Sequence, residues 1–364
     1  MFRSVHDVET PAVLVDLDIL QRNISRMAEA ARRCGVALRP HAKTHKVPEV
    51  GRMQIAAGAR GLCLAKPSEA EVFAAAGFDD IFLAYPVVGP DKGRRLLALG
   101  DRLRLAVGAD SLEGARTLGD AFHAAGRRLD ILLKIDVGSH RVGVPPEDAL
   151  KMARRLAELR GLRLRGVFAH SGLGYHAMTP EAVMQAGQSE GRLMAEVAQV
   201  LRGEGLPVEE VSVGSTPTAL SAMAVGGVTE CRPGTYVYQD ASQVSLGTCS
   251  IEDCALTVLT TVVSVPARDR AVVDAGSKTL SSDQLRPQVG GHGWIVGRQS
   301  RVQRLSEEHG VIDLVEGESL RVGERLRILP NHACVVSNLH DEILAVRGGQ
   351  VETVWRVAAR GRVQ

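Results

Sequence analysis

The residues of this chain that could do chemistry fall into a few short clusters. RPHAKTHK, residues 39–46, sets His41, Lys43, His45 and Lys46 close together directly after the apolar run GVAL. A lysine held at the end of a strand among other cations loses its proton more readily than a solvated one, and its amine can then attack a carbonyl. The same residues also fit a lysine-rich surface turn. KIDVGSHRVGV, residues 134–144, ends an apolar strand in Asp136 and carries Arg141, whose guanidinium suits an anionic or acceptor group or a surface ion pair. FAHSGLGYH, residues 168–176, offers His170 and Tyr175 with Gly172 and Gly174 between them. SVGSTPTAL, residues 212–220, supplies Gly214, Ser215 and Thr216, a small-residue loop able to hold a phosphate or simply to turn from strand to helix. RPGTYVYQD, residues 232–240, adds Tyr238 and Asp240. Near the C-terminus, ILPNHACVVSNLHD places His332 two residues before Cys334, which in a strand would put both on one face. Imidazole and thiolate together suit Zn²⁺, and less well Mn²⁺; a structural histidine beside a buried cysteine is the alternative.

The elements that must position these clusters follow from the apolar periodicity. AVLVDL (12–17) reads as a strand, and the helical stretch 19–35 ends at Gly35, a suitable C-cap. The cycle of short apolar run and amphipathic helix then repeats through VALRP, GLCLA, DIFLAYP, LRLAVG, ILLKIDVG and LRGVFAH, with a long helix near 180–203, and VEEVSVG closes the series. About eight such units fit a parallel (β/α)8 barrel, whose reactive groups gather at the C-terminal ends of the strands. From about residue 240 the pattern changes to strands and turns without long helices, including CALTVLTTVVSVP, RAVVDAG, GWIVG, ERLRILP and EILAVRGGQVETVWRVAA. The fold class expected is therefore α/β: a (β/α)8 (TIM) barrel over residues 10–240, followed by an antiparallel β domain over 241–364 together with residues 1–9.

Bulk composition excludes several functions. Lys plus Arg number 44 against 42 Asp plus Glu, so the chain lacks a basic field for nucleic acid, and aromatic residues are only 3%. No apolar run is long enough to span a membrane, and the N-terminal MFRSVHDVETPAVLVD has no signal-peptide core, so a cytoplasmic protein is expected. The six cysteines form no CxxC and no disulfide framework.

Taken together and in order, RPHAKTHK, KIDVGSHRVGV, AHSGLGYH, GSTPT, ECRPGTYVYQD, DAGSKTLSSD, EEHG and PNHACVVSNLHD resemble the D-threonine aldolase and D-serine dehydratase family, pyridoxal 5'-phosphate (PLP) enzymes of the alanine racemase fold type. The resemblance covers nearly the whole chain. It implies that Lys43 forms the Schiff base with PLP and that Arg141 lies near the pyridine nitrogen. It further implies that His41, His170 and Tyr175 line the cofactor, with Lys43, His170 and Tyr175 taking part in catalysis. Gly214, Ser215 and Thr216 would hold the phosphate, with Tyr238 as a neighbour. His332 and Cys334 would bind a divalent metal, Mn²⁺, Zn²⁺ or Mg²⁺. A homodimer with shared active sites and a small D-amino acid substrate are implied as well.

Two reactions fit the family. One is retro-aldol cleavage of a D-β-hydroxy-α-amino acid to glycine and an aldehyde, placed first because the full set of motifs resembles bacterial relatives of the D-threonine aldolase group. The other is dehydration of D-serine or D-3-hydroxyaspartate to a keto acid and ammonia. His332-Ala-Cys334 in place of His-x-Asp, and HSGLGY, resemble the dehydratases. An amino-acid racemase and a non-catalytic PLP-binding protein rank below both.

Overall fold

The structure is a computed structural model that describes residues 3–284, 286 and 289–364. The chain divides into two compact units. One comprises Met1–Ser25, Thr44–Val50 and Thr235–Gly361; the other comprises Arg26–Lys43, Gly51–Gly234 and Arg362–Gln364. Two short strands, β1 (Arg3–Ser4) and β2 (Ala12–Asp16), come first in the chain.

The second unit is the α/β barrel. Its strands are β3 (Ala37–Leu38), β4 (Leu62–Leu64), β5 (Asp80–Pro86), β6 (Arg104–Ala109), β7 (Leu129–Lys134), β8 (Leu162–Phe168), β9 (Glu210–Val213) and β10 (Glu230–Cys231). All pair in parallel, in the order β3-β10-β9-β8-β7-β6-β5-β4. A parallel bridge between His41 and Cys63 closes the ring. Parallel strands covered by helices must be apolar on both faces, and Ile131, Leu132 and Leu133 of β7 are fully buried. Phe82 and Phe168 meet edge to face inside the barrel, with ring centroids 5.1 Å apart, and pack with Cys63, Ala106 and Leu132.

The barrel has the eight strands expected, but not the same eight. β2, expected as the first of them, pairs antiparallel with Leu256–Leu259 and parallel with Leu344–Val346 in the β unit. Its place in the ring is taken by β10, between β9 and β3. β10 is two residues long and lies in the polar stretch TECRPG, so no apolar run announces it. The helix Leu17–Arg33 begins where Asp16 Oδ1 accepts the N–H groups of Asp18 and Ile19, at 3.0 and 3.1 Å, and the chain turns out of it at Gly35, φ +64°.

The β unit holds β11 (Leu256–Ala267), β12 (Arg270–Val273), β13 (Gly293–Ile295), β14 (Arg301–Leu305), β15 (Gly310–Asp313), β16 (Arg325–Pro330), β17 (Glu342–Arg347) and β18 (Gln350–Arg356). Strands β11-β12-β15-β14-β13-β16 form a closed antiparallel barrel, because β16 pairs back onto β11. β2, β17, β18 and β1 extend its sheet. The Gly348-Gly349 turn joins β17 to β18, both glycines at positive φ, as that tight connection requires. Among the described residues, no helix is long and apolar enough to cross a membrane.

Candidate active site

Lys43, His41, Arg141, His170, Gly214, Ser215 and Thr216 all follow the C-terminal ends of barrel strands, the end at which such barrels carry their reactive groups. Lys43 is exposed on the short turn Ala42–Thr44, and its N–H donates to His41 Nδ1 at 3.4 Å.

Arg141 is exposed on the loop after β7, and that loop is organised by Asp136. One Asp136 oxygen accepts the N–H groups of Gly138 (3.1 Å), Ser139 (2.9 Å) and His140 (3.1 Å). Ser139 Oγ donates to the His170 carbonyl at 3.0 Å and accepts from Gly172 N–H at 2.9 Å, so the loops after β7 and β8 are tied together. Tyr175 sits half-buried on the short helix Leu173–His176.

His170 Nδ1 lies 3.2 Å from the Gly214 carbonyl, which makes Nδ1 the protonated nitrogen and leaves Nε2 with its lone pair. Burial, followed by the charges of Lys43, Lys134 and Arg141, holds the His170 pKa well below its ordinary value, so the ring is neutral. These charges bring three members of the expected set, Lys43, Arg141 and His170, within electrostatic reach of one another.

The loop after β9 needs glycine at position 214. Its φ is +107°, and a Cβ there would stand 2.7 Å from Cys231 Sγ. Ser215 and Thr216 are buried beside it, and Thr216 Oγ1 accepts Gly234 N–H at 3.2 Å. The Gly214 N–H itself donates to Glu190.

Three charged residues here were not singled out from sequence. Lys134, the last residue of β7, is 4% exposed, donates to the Ile135 carbonyl at 3.3 Å and lies 5.2 Å above the Phe168 ring. Burial and the Arg232 charge bring its pKa down to about 7. Arg232, equally buried, donates to Ser212 Oγ and to the Ala169 carbonyl and stacks over Phe82 and Phe168. Ser212 Oγ donates to Glu230, which also accepts from Arg39, and Arg39 pairs with Asp80. The third is Glu190. Lys134 lay inside an apolar run and Arg232 beside a proline, where a charge reads as an end of the element, and Glu190 lay between Ser189 and Gly191, where a helical glutamate reads as solvated.

His332 and Cys334 lie in the β unit, and not on a strand as expected. β16 stops at Pro330, His332 caps a helix spanning Ala333–Leu339, and Cys334 falls in its first turn. Asp240 fixes this start: one oxygen accepts Ala333 N–H at 3.1 Å and the other accepts Gln243 N–H at 3.0 Å. Burial pushes the Asp240 pKa up to about 6.

His332 Nδ1 is 2.6 Å from Asp283, and its side chain also bonds Cys334. Burial opposes the charging of both partners. Their mutual attraction prevails, so His332 is raised and Cys334 lowered. Cys334 Sγ further contacts Thr44 Oγ1 (3.2 Å) and Thr235 Oγ1 (3.5 Å). Tyr238, expected beside the cofactor, belongs to this unit: its ring packs on His45, and the charge of Cys334 adds to burial in raising its pKa. Its buried hydroxyl has no hydrogen-bond partner among the described residues. Also among them, no group of three or more His, Cys, Asp and Glu converges as a ligand set.

The fold and these residues define a class: a parallel α/β barrel with a lysine and a small-residue loop after the C-terminal ends of its strands, followed in the chain by a closed β-barrel. Residues 15–242 match the alanine racemase N-terminal domain, and residues 255–346 match the putative serine dehydratase domain. The chain belongs to the PLP-dependent family of alanine racemase fold that groups D-threonine aldolases with D-serine dehydratases. It is 36% identical to a D-threonine aldolase of Arthrobacter sp., over 97% of this chain and 93% of that one. It is 38% identical to the D-threo-3-hydroxyaspartate dehydratase of Delftia sp. strain HT23, over 98% and 96%. The D-threonine aldolase structure from Filomicrobium marinum superposes with a TM-score of 0.91 at 35% identity, covering 99% of this chain and 98% of that one. The Delftia dehydratase structure also gives 0.91, at 36% identity and 97% and 98% coverage. Solved variants of that dehydratase replace a histidine and a cysteine two positions apart, and the cysteine variant is in the metal-free form.

The residues present fit PLP. Lys43 offers the amine, Ser215 and Thr216 offer hydroxyls beside a loop that tolerates no Cβ at Gly214, and Lys134, Arg141 and Arg232 offset anionic charge. Ser171 Oγ is a buried polar atom without a hydrogen-bond partner among the described residues. His332 and Cys334, already bonded to each other, fit a two-residue site for a borderline-soft divalent ion.

Proposed function

We propose that this protein is a PLP- and metal-dependent lyase that dehydrates D-β-hydroxy-α-amino acids of the 3-hydroxyaspartate or serine type, releasing a keto acid and ammonia. The observation that carries the choice is the His332–Cys334 pair. Its spacing equals that of the histidine and cysteine altered in the Delftia dehydratase variants. This reverses the order reached from sequence, where aldol cleavage came first. Aldol cleavage is kept as the second reading because the Arthrobacter relative is nearly as similar.

When bound, PLP supplies an electron sink for charge developing at the substrate's α-carbon. Lys43 would hold its aldehyde, and the same amine would serve as the base for the substrate's α-proton. Ser215 and Thr216 would hold its phosphate through their hydroxyls. Gly214 contributes conformation, since its own N–H is given to Glu190. Neutral His170, its Nδ1–H fixed on the Gly214 carbonyl, presents Nε2 as a hydrogen-bond acceptor. Tyr175 and His41 complete the lining, and Arg141 offers its guanidinium to an anionic group. His332 and Cys334 would hold the divalent metal, Zn²⁺ or Mn²⁺, which supplies Lewis acidity toward an oxygen leaving group. Asp283, bonded to His332 Nδ1, would leave Nε2 as the nitrogen available to a metal. A cytoplasmic homodimer with shared active sites belongs to the same reading, and light scattering tests its assembly.

Product analysis decides the reaction. D-3-hydroxyaspartate, D-serine and D-threonine are each supplied to the PLP- and metal-loaded protein. Keto acid with ammonia, including 2-oxobutanoate from D-threonine, is expected. Glycine with an aldehyde assigns the aldolase instead, interconversion of D- and L-isomers assigns a racemase, and cofactor binding without turnover assigns a non-catalytic protein. Lys43→Ala should abolish turnover and the long-wavelength cofactor absorbance. Turnover retained in that variant overturns the role of Lys43.

A further inference from the structure

The helix Pro180–Gly203 turns an apolar stripe toward the barrel: Val183, Gly187, Gly191, Met194, Val197, Ala198 and Leu201 are buried. Glu190 lies in the middle of that stripe and is 2% exposed, whereas Glu181 and Glu196 of the same helix are exposed. A carboxylate in such a place is costly unless something fixed requires it.

Its neighbours show that the approach is deliberate. A Cβ at Gly187 would stand 2.1 Å from Ser221 Oγ and 2.8 Å from the Thr218 carbonyl, and one at Gly191 would stand 2.9 Å from the Ala222 carbonyl. The two glycines let this helix come close enough for Glu190 to reach under the loops at the barrel mouth. There Oε1 accepts Ser171 N–H at 3.1 Å and Gly214 N–H at 3.2 Å, and Oε2 accepts Thr218 Oγ1–H at 3.4 Å. Thr218 Oγ1 is in turn 2.9 Å from Ser215 Oγ. One carboxylate thus joins the loop that follows His170 to the loop Gly214–Thr218. Burial raises its pKa, while the two N–H groups, Arg232 and Lys134 pull it back.

We propose that Glu190 is a positioning residue for the phosphate end of the cofactor site: it fixes Gly214–Thr218 against the loop after β8, and so sets Ser215 and Thr216 where they receive the phosphate. The inference rests on the assignment of that loop to the PLP phosphate. Glu190 touches neither substrate nor cofactor in this role. Because Oε1 alone takes both N–H groups, glutamine can reproduce the geometry, with its amide donating to Thr218 Oγ1, whereas alanine cannot.

The test compares PLP with pyridoxal, which lacks the phosphate. The full-length chain is stripped of cofactor, and its affinity for each is measured by absorbance titration for wild type, Glu190→Gln and Glu190→Ala. Glu190→Ala should weaken PLP about tenfold or more while changing pyridoxal far less, and Glu190→Gln should restore most of the loss. The ³¹P resonance of bound PLP should move in Glu190→Ala and return in Glu190→Gln. Equal weakening of both ligands, a ³¹P resonance that does not move, or a Glu190→Gln variant as impaired as Glu190→Ala overturns the proposal. If Glu190→Ala does not fold, the Glu190→Gln titration and spectrum still decide: near-wild-type values support the role and alanine-scale losses overturn it. A wild-type protein that binds PLP no better than pyridoxal overturns the underlying phosphate assignment, and the inference with it.

Discussion

Replacing Lys134 by methionine should change how the stability of the barrel unit depends on pH. The lysine is 4% exposed, and burial together with Arg232 and Arg141 lowers its pKa from 10.5 to about 7. The folded protein therefore holds this proton more weakly than the unfolded chain does. Between the two pKa values the unfolded state binds more protons, so the wild type gains stability as pH rises through that window. Methionine fills similar space and does not titrate. The loss of the hydrogen bond to the Ile135 carbonyl contributes an offset that does not vary with pH. Integrated from about pH 7 to about pH 9, the wild-type gain relative to Lys134→Met comes to about 2 kcal/mol. Urea unfolding of cofactor-free protein, read by pulsed hydrogen exchange on peptides from β6 to β8, reports this unit separately. A wild-type-minus-variant difference that stays flat over that range, or falls, refutes the claim that the fold lowers the Lys134 pKa.

Other perturbations have equally definite outcomes. Gly166→Ala would place a Cβ 2.1 Å from the Glu210 carbonyl in the neighbouring strand, at a cost of about 3 kcal/mol, seen as a lower melting temperature and reduced soluble yield. Asp240→Ala removes the acceptor for Ala333 N–H and should cost about 1 kcal/mol, with weaker Zn²⁺ binding by calorimetry; Asp240→Asn should keep most of both. Chelation with EDTA should remove most activity while leaving PLP bound, and an unchanged rate in metal-free enzyme would dismiss the metal's role. Cys334→Asp should retain metal but shift its preference from Zn²⁺ toward Mn²⁺, measured by competition; an unchanged preference argues against direct ligation by Cys334.

The barrel was legible in the sequence because its strands are short apolar runs between amphipathic helices, and burial on both faces enforces that signal. The signal does not say which sheet a strand joins. β2 reads like its neighbours yet pairs with β11, and the two-residue β10 carries too few side chains to register. β14, RVQRL, escaped because only Val302 along it is fully buried. The candidate site was legible where the chemically apt types cluster after strands, as at Lys43, His170 and Ser215, which the fold places at the strand ends. It was illegible where a charge is buried within an element, as at Lys134 and Glu190, since the compensating partners are remote in sequence. The placement of His332 and Cys334 on a helix start depended on Asp240, some ninety residues earlier, which no local pattern relates to them.

The discontinuous make-up of the β unit bears on how the protein comes into being. Val15 faces Leu256 across an antiparallel ladder, so during synthesis β2 lacks this partner until roughly 240 further residues have followed; closing such a loop costs about 5 kcal/mol in chain entropy. During synthesis that strand is an uncovered edge, a point of risk for aggregation. A fragment ending near residue 240 would keep the barrel strands and leave this edge permanently unpaired, whereas a circular permutant opened at Gly35, beyond the helix Leu17–Arg33, would cut the separation roughly in half. Refolding yield should accordingly improve in the permutant without any change to the catalytic residues.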